Sequence, residues 1–446
     1  QSVKGEPLFI LALYGRDRTI NTTAKMVNQI LQQEEKYTSR YRWVLLILGT
    51  FTSLFAISMP TMALSVLFDE LSQDLGLTIV QVGFIWSVSS FTGLVMAIPG
   101  GLLSDRFGPR NMLLFVYVTS GILGLCRAFA TGYVSFLLIS MGYGLVLATG
   151  AINVIKVISD WFRPAERGIA TGVFSLGFAS GFLLGSFAAA TYLSPWLGGW
   201  RPVFILFGVL SIIIGLLWFW LHPKTEHTPT AISFRKDVFE PLNKTVRFKN
   251  LWLIGVGKIG FWGGVRGFTG YLPLYLRGEG WEPAQADSAV SLFFLLSLIC
   301  VMPISIYSDR RGRRRPLLLF AAVVMGLGIT FAGLSSGFWI LVFVAITGAF
   351  FDAFMGLAVA ASTEVKGVGV ALAGTAVGFV FMLQEVGGML APIIGNSLVQ
   401  YGANIPFFFW GALALTGSVF FIMFSEENLK RTEDSVQPTL IKTPSK

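Results

Sequence analysis

Twelve apolar stretches, each long enough to cross a bilayer, occupy most of this sequence: residues 42–65, 81–103, 113–130, 134–158, 168–190, 201–221, 251–276, 286–307, 317–334, 338–361, 370–395 and 405–424. A hydrocarbon core about 30 Å thick asks for roughly 20 residues of helix at about 1.5 Å each. The stretches are too long for barrel strands and do not alternate, so helices are the only spanning option. Only 13% of the residues are charged and 54% are hydrophobic, against about 25% charged in a soluble domain. That excludes a disordered chain and an ordinary soluble enzyme. Two histidines, His222 and His227, and two cysteines, Cys126 and Cys300, leave little material for histidine catalysis or a metal site.

Lysine and arginine set the orientation. With the N-terminus on the cytoplasmic side, the inner segments hold 27 of the 33 basic residues and the outer loops hold one, Arg277. The net charge of +9 is therefore read as membrane orientation, not as nucleic-acid binding. The chain divides into a cytoplasmic segment 1–41, a six-helix half 42–221, a cytoplasmic linker 222–250, a second six-helix half 251–424 and a cytoplasmic tail 425–446. Residues 23–34 read either as a surface amphipathic helix or as a disordered tail.

The two halves repeat each other at an offset of 204 residues. Asp105, Arg106, Gly108, Arg110 and Leu113 after the second stretch pair with Asp309, Arg310, Gly312, Arg314 and Leu317 after the eighth. Gly108 permits a turn too tight for a side chain. Asp105 sits at a helix end, where it can meet Arg110 or the positive N-terminal end of helix 11. Such a latch would hold the halves together on the inner side. For the second loop, plain topology is an equal alternative: its arginines then only anchor it inside.

The segment 101–110 resembles the signature loop between helices 2 and 3 of the major facilitator superfamily, Gly-x-Leu-x-Asp-Arg-x-Gly-Arg-Arg, and 305–314 resembles its weaker second copy. Residues 161–168, with Glu166 and Arg167, look like that superfamily's link between helices 4 and 5, also as it occurs in organic-anion branches. The resemblance spans residues 42–424. It implies a secondary transporter with gating contacts at Asp105, Arg106, Gly108, Arg110, Asp309, Arg310, Glu166 and Arg167. Four positions depart from the pattern. Pro109 stands where a basic residue is usual, Ser305 and Tyr307 replace glycine and leucine, and Ser140 stands where helix 4 often carries an arginine.

Ionisable groups inside a membrane are costly and face a partner or a cavity. Lys258, Trp262 and Arg266 can share one face of helix 7. Counted from the inner end, Arg266 and Glu385 both lie roughly 22 Å deep, Lys258 roughly 10 Å and Asp352 roughly 14 Å. Arg266 with Glu385, and Lys258 with Asp352, are depth-matched pairs. Glu385 and Asp352 are either proton carriers or structural counter-ions. Lys258 and Lys156 either face the solute or snorkel to the inner surface, and Arg127, near the outer end of helix 3, is expected at the interface. Thr50, Thr52, Ser53, Ser58 and Pro60 of helix 1 are candidates for the opposite wall.

The reading is an all-α membrane protein of twelve helices in two pseudo-repeated halves, with both termini cytoplasmic, in a plasma or inner membrane. It is expected to move a small anionic solute, such as a carboxylate, by alternating access. The substrate site is expected at Arg266, Lys258, Trp262, Glu385, Gln384 and Lys156, with proton coupling at Asp352 or Glu385. The alternative is an exporter of amphipathic, drug-like or lipid-like compounds. A non-transporting receptor on the same scaffold is a third class. No phosphate-binding loop or nucleophile–base set is present, so neither ATP nor enzymatic chemistry is expected. No cofactor or metal is expected. The expected partners are the solute, protons or another coupling ion, and membrane lipid, with the protein a monomer.

Overall fold

A computed structural model describes residues 36–97, 99–163, 166–223 and 239–424. The segment 23–34 and the tail 425–446 lie outside them. Among the described residues, twelve long helices follow one another: α1 (Tyr41–Val66), α2 (Ile79–Met96), α3 (Pro109–Arg127), α4 (Tyr133–Trp161), α5 (Arg167–Leu197), α6 (Trp200–Leu221), α7 (Lys249–Gly278), α8 (Pro283–Arg311), α9 (Arg315–Leu334), α10 (Phe338–Thr363), α11 (Gly369–Ser397) and α12 (Ile405–Met423). Among the described residues, eleven helices are long and apolar enough to cross a membrane, and α7 is not one of them. At 30 residues α7 is long enough. Its glycines, Lys258 and Arg266 lower its hydropathy. The packing offsets this, because α7 is enclosed by α11, α12, α8, α1 and α2.

The boundaries have local causes. A capping box between Thr78 and Gln81 starts α2 two residues before the expected position. Gly108, at φ 76°, turns the chain, and Pro109 then opens α3. Proline is pre-organised for that first helical position, so its presence in the signature loop makes structural sense. Gly312 makes the corresponding turn at φ 63°. In α1, residues Thr52–Ser58 form a π-helical segment directly before Pro60. Proline cannot donate a backbone hydrogen bond, which favours such a bulge upstream.

Each half is packed alike: α3 lies on α6, and α9 on α12. The α3–α6 crossing depends on Gly121 and Gly208. A Cβ on Gly208 would stand 2.8 Å from the Gly121 carbonyl oxygen, and one on Gly121 would stand 2.7 Å from that of Gly208. Small residues let helices approach where lipid offers no hydrophobic drive to associate. Between the halves, α2 packs on α11 and α5 on α8.

Polar contacts differ between the two ends. At the end remote from both termini several of them join the halves, beside pairs within a half such as Arg201 with Asp74 (2.8 Å). Ser65 donates to the Thr269 carbonyl (2.8 Å), Asn396 to that of Ile79 (2.9 Å), and Thr191 to Asp287 (3.2 Å). Arg277 donates to the Val66 carbonyl (2.9 Å) and forms an ion pair of 2.6 Å with Asp287, whose side chain is fully buried. At the basic end, the ion pairs tie each half to itself. Arg42 meets Glu166 at 2.7 Å, Lys156 meets Asp105, and Arg314 meets Asp309 and Glu364.

The expected latch is thus corrected in one respect. Asp105 forms its ion pair with Lys156 of α4, inside its own half. Arg110, one of its two expected partners, donates instead to the Phe219 carbonyl at the end of α6 (2.6 Å) and covers the Phe219 ring. Positive charge there complements exposed helix-end carbonyls. Arg315 does the same for Phe421 in α12 (3.1 Å). By partner, then, Arg315 is the counterpart of Arg110, although the sequence repeat pairs Arg110 with Arg314.

Two measurements follow from this packing. Gly208→Ala should destabilise the protein by about 1–3 kcal/mol through overpacking, although alanine is the better helix former. Gly172→Ala, where a Cβ meets nothing within 4 Å, should leave the melting temperature unchanged or raise it. Thermal denaturation in detergent compares them; equal behaviour would mean the α3–α6 contact yields easily. Arg277→Ala should cost about 3–5 kcal/mol by stranding Asp287, and adding Asp287→Ala should recover part of that loss. The same assay on the three proteins decides, and no loss in the single variant would remove the pair from the far-end contact.

Candidate functional site

A cavity of about 250 Å³ lies where the two halves meet, lined by α1, α2, the end of α3, α4 and one residue of α11. Ile57, Pro60, Leu64 and Leu147 make it largely apolar, and Ser89, Thr92, Ser140 and Tyr143 add neutral polar atoms. Two charged side chains complete the wall, Arg127 and Glu385.

Arg127 departs from its expected interfacial position. It is 5% exposed, and its guanidinium lies over the Tyr143 ring, 3.8 Å from the centroid. The end of α3 is clamped to α6 through Gly208, which lies beneath Gly124. The long side chain therefore runs inward along α4. Its Nε is buried without a hydrogen-bond partner, and the Ser140 hydroxyl in the same wall is likewise unsatisfied. Sequence reasoning found no arginine early in helix 4, where Ser140 stands. The structure brings a guanidinium to that wall from helix 3. The missed signal is compensatory: an arginine one short loop before a helix that lacks its own.

Glu385 enters from the other half. Its two oxygens accept hydrogen bonds from Trp262 Nε1 (3.3 Å) and Gln384 Nε2 (3.1 Å). Gly93 on α2 faces it: a Cβ there would lie 3.7 Å from Glu385 Cγ, an ordinary contact. Trp262, Gln384 and Glu385 are therefore brought together as expected.

Arg266 and Lys258 are not in the cavity wall. Arg266 is 6% exposed and turns to α2, where it donates to the Trp86 carbonyl (3.1 Å) and Ser89 Oγ (2.5 Å). Its guanidinium covers the Trp86 ring at 3.9 Å, and Trp86 Nε1 donates to the Arg266 carbonyl (2.7 Å). The expected ion pair with Glu385 is replaced by this double contact. Lys258, fully buried, points at the Phe381 ring (4.3 Å), with no hydrogen-bond partner for its Nζ. Asp352 is held by Ser297 of α8, which donates to its carboxylate (2.7 Å) and accepts from its backbone N–H (3.0 Å). The pair Lys258–Asp352 does not form. Equal depth leaves azimuth free, and the two side chains leave their helices towards different neighbours.

Other expected residues take structural places. Lys156 is engaged with Asp105 and does not line the cavity. Arg167 binds the Ser159 carbonyl (2.7 Å), and Arg106 and Arg310 are exposed at the basic end. On α1, Thr52 and Ser53 turn to α6 and α5, where Thr52 accepts from Trp218 Nε1 (2.9 Å) and Ser53 donates to the Phe174 carbonyl (3.1 Å). Of the candidates on α1, Pro60 reaches the cavity.

Comparison with known proteins places this fold. The chain is 25% identical over 316 residues to a probable nitrate/nitrite antiporter of Thermus thermophilus, covering 68% of this chain and 69% of that protein. It is 26% identical over 399 residues to a hexuronate transporter of Bacillus subtilis, covering 81% and 90%. The crystal structure of a D-xylose-proton symporter superposes with a TM-score of 0.72 at 15% identity, over 87% of this chain and 99% of that one. The sequence profile of the Major Facilitator Superfamily matches residues 46–286 and again 279–444. With its two halves and paired loops, the chain is a multi-pass membrane protein and belongs to the Major Facilitator Superfamily, a family of secondary transporters.

Proposed function

We propose that this chain carries a small organic anion across the membrane by alternating access, with Arg127 as the anchor. The buried guanidinium in the cavity wall, with no carboxylate paired to it and no hydrogen-bond partner for its Nε, carries this reading. An ion in a low-dielectric interior is expensive unless paired. Tyr143 supplies a cation–π contact worth about 2 kcal/mol, which does not replace a counter-charge. An anion entering the cavity would supply one, and the arginine fork suits a carboxylate held by two hydrogen bonds. The two relatives described above are named for nitrate or nitrite and for hexuronates, all anions, which supports the class. A cavity of about 250 Å³ falls below the roughly 300–1,000 Å³ of drug-sized sites, and this disfavours the exporter of amphipathic compounds.

Helix α7 serves as the twelfth span, its charges shielded from lipid by the surrounding helices. The halves rock about the site. The far end, closed by Arg277, Asp287 and Asn396, is the extracellular gate, and the state described faces inward. Arg266 acts as a positioning residue, holding Trp86 and Ser89 in the wall. Glu385 is the one carboxylate in that wall, so a proton carried with the solute would ride there and not on Asp352.

Calorimetry on folded, monodisperse protein with D-glucuronate, 4-hydroxybenzoate and nitrate tests the anchor. Arg127→Lys should weaken the best-bound of these by about tenfold or more, and Arg127→Ala further, because a charged hydrogen bond is worth about 1.5–3 kcal/mol. Undiminished binding by Arg127→Ala would reject the assignment. Arg266→Lys should behave differently, lowering stability by about 1–3 kcal/mol through lost buried hydrogen bonds while keeping most affinity in protein that remains folded. If its affinity falls as far as that of Arg127→Lys at unchanged stability, Arg266 touches the solute after all.

A further inference from the structure

The charge pattern of the cavity narrows the solute beyond its sign. Its wall carries one cation and one carboxylate, and they come from opposite halves: Arg127 from α3 and Glu385 from α11. The same wall holds the Ser140 hydroxyl, buried and unsatisfied. The amino-terminal half thus contributes donors that lack acceptors. Glu385 is the reverse. Each of its oxygens accepts one hydrogen bond, from Trp262 and from Gln384, and a carboxylate has about four lone-pair sites. It can accept further donors and has none to give while ionised. Apolar side chains, Ile57, Pro60 and Leu64 of α1 among them, line the same cavity.

Resting on the anion reading above, we infer that the solute is a monocarboxylate with a hydroxyl group at the end opposite its carboxylate, and that Glu385 both accepts this hydroxyl and excludes dianions. The carboxylate lies on Arg127 and Ser140. The hydroxyl donates to Glu385, and the intervening hydrocarbon meets the apolar wall. A dicarboxylate would set its second negative charge against Glu385. At an effective dielectric of about 20, like charges some 4 Å apart repel strongly enough to cost well over a hundredfold in affinity. An acid lacking the distal hydroxyl meets no repulsion but touches one half only, so it binds more weakly and does not draw the halves together. Selection arises from the mismatch as much as from the match.

Two matched series test this on the full-length protein: 4-hydroxybenzoate, benzoate and terephthalate, and 4-hydroxybutyrate, butyrate and succinate. Affinity is measured by calorimetry near neutral pH, and exchange by counterflow in proteoliposomes. In at least one series the hydroxy acid should bind about tenfold tighter than the plain acid and alone support fast exchange, with the diacid at least a hundredfold weaker. Glu385→Gln should narrow the gap between diacid and hydroxy acid by tenfold or more. A diacid bound by the parent as tightly as its hydroxy partner overturns the inference and leaves the anion reading standing. The same holds for plain and hydroxy acids of equal affinity and exchange. Binding of none of the six to folded protein overturns the inference, and the anion reading falls with it if D-glucuronate and nitrate also fail to bind. The parent series decide alone should Glu385→Gln fail to fold.

Discussion

A charge placed in an apolar bundle has to find an opposite charge, an aromatic face or a cavity, and this requirement organises the molecule. Asp287 meets Arg277 at the closed end of the interface between the halves. Arg266 gives one terminal nitrogen to the backbone and a hydroxyl of α2 and its flat face to Trp86. Asp352 is satisfied by Ser297. Among the described residues, Arg127 is the buried arginine that lines the cavity, and its Nε has no hydrogen-bond partner. The same low dielectric that fixes the first three in place gives the fourth its affinity for an incoming anion.

The two ends of the bundle express this economy differently. At the far end, contacts between the halves are buried or partly buried, and they include backbone acceptors on α1 and α2. At the basic end, carboxylates and cations are more exposed and pair within a half. Exposed pairs of that kind contribute little to stability, so their rearrangement is inexpensive. A bundle stitched firmly at one end and loosely at the other is prepared to open at the loose end. Contacts through paired glycines, as between α3 and α6, let each half move as a rigid body.

The repeat illustrates how sequence and structure can agree in outline and differ in detail. Gly108 and Gly312 occupy matching turns with positive φ, as the 204-residue offset requires. The arginines that follow do not match by number. Arg110 caps α6 and Arg315 caps α12, whereas Arg314 binds Asp309 and Glu364. Five arginines in a short loop leave the alignment open by one residue, and helix-end geometry closes it.

The sequence by itself determined the helical membrane class, the pairing of the halves and the positions of the signature turns. These depend on local length, hydropathy and glycine chemistry, which act along the chain. It also brought Glu385, Trp262 and Gln384 into one neighbourhood, because depth and helix face suffice for residues on adjacent helices. Tertiary structure alone decided which arginine reaches the cavity. Depth along a helix is legible from spacing, but the direction in which a long side chain leaves its helix is set by packing against helices distant in sequence. Arg266 was captured by Trp86, 180 residues away, and Arg127 was turned inward by the clamp of α3 on α6. Both outcomes depend on azimuth, which hydropathy and charge along the chain do not encode.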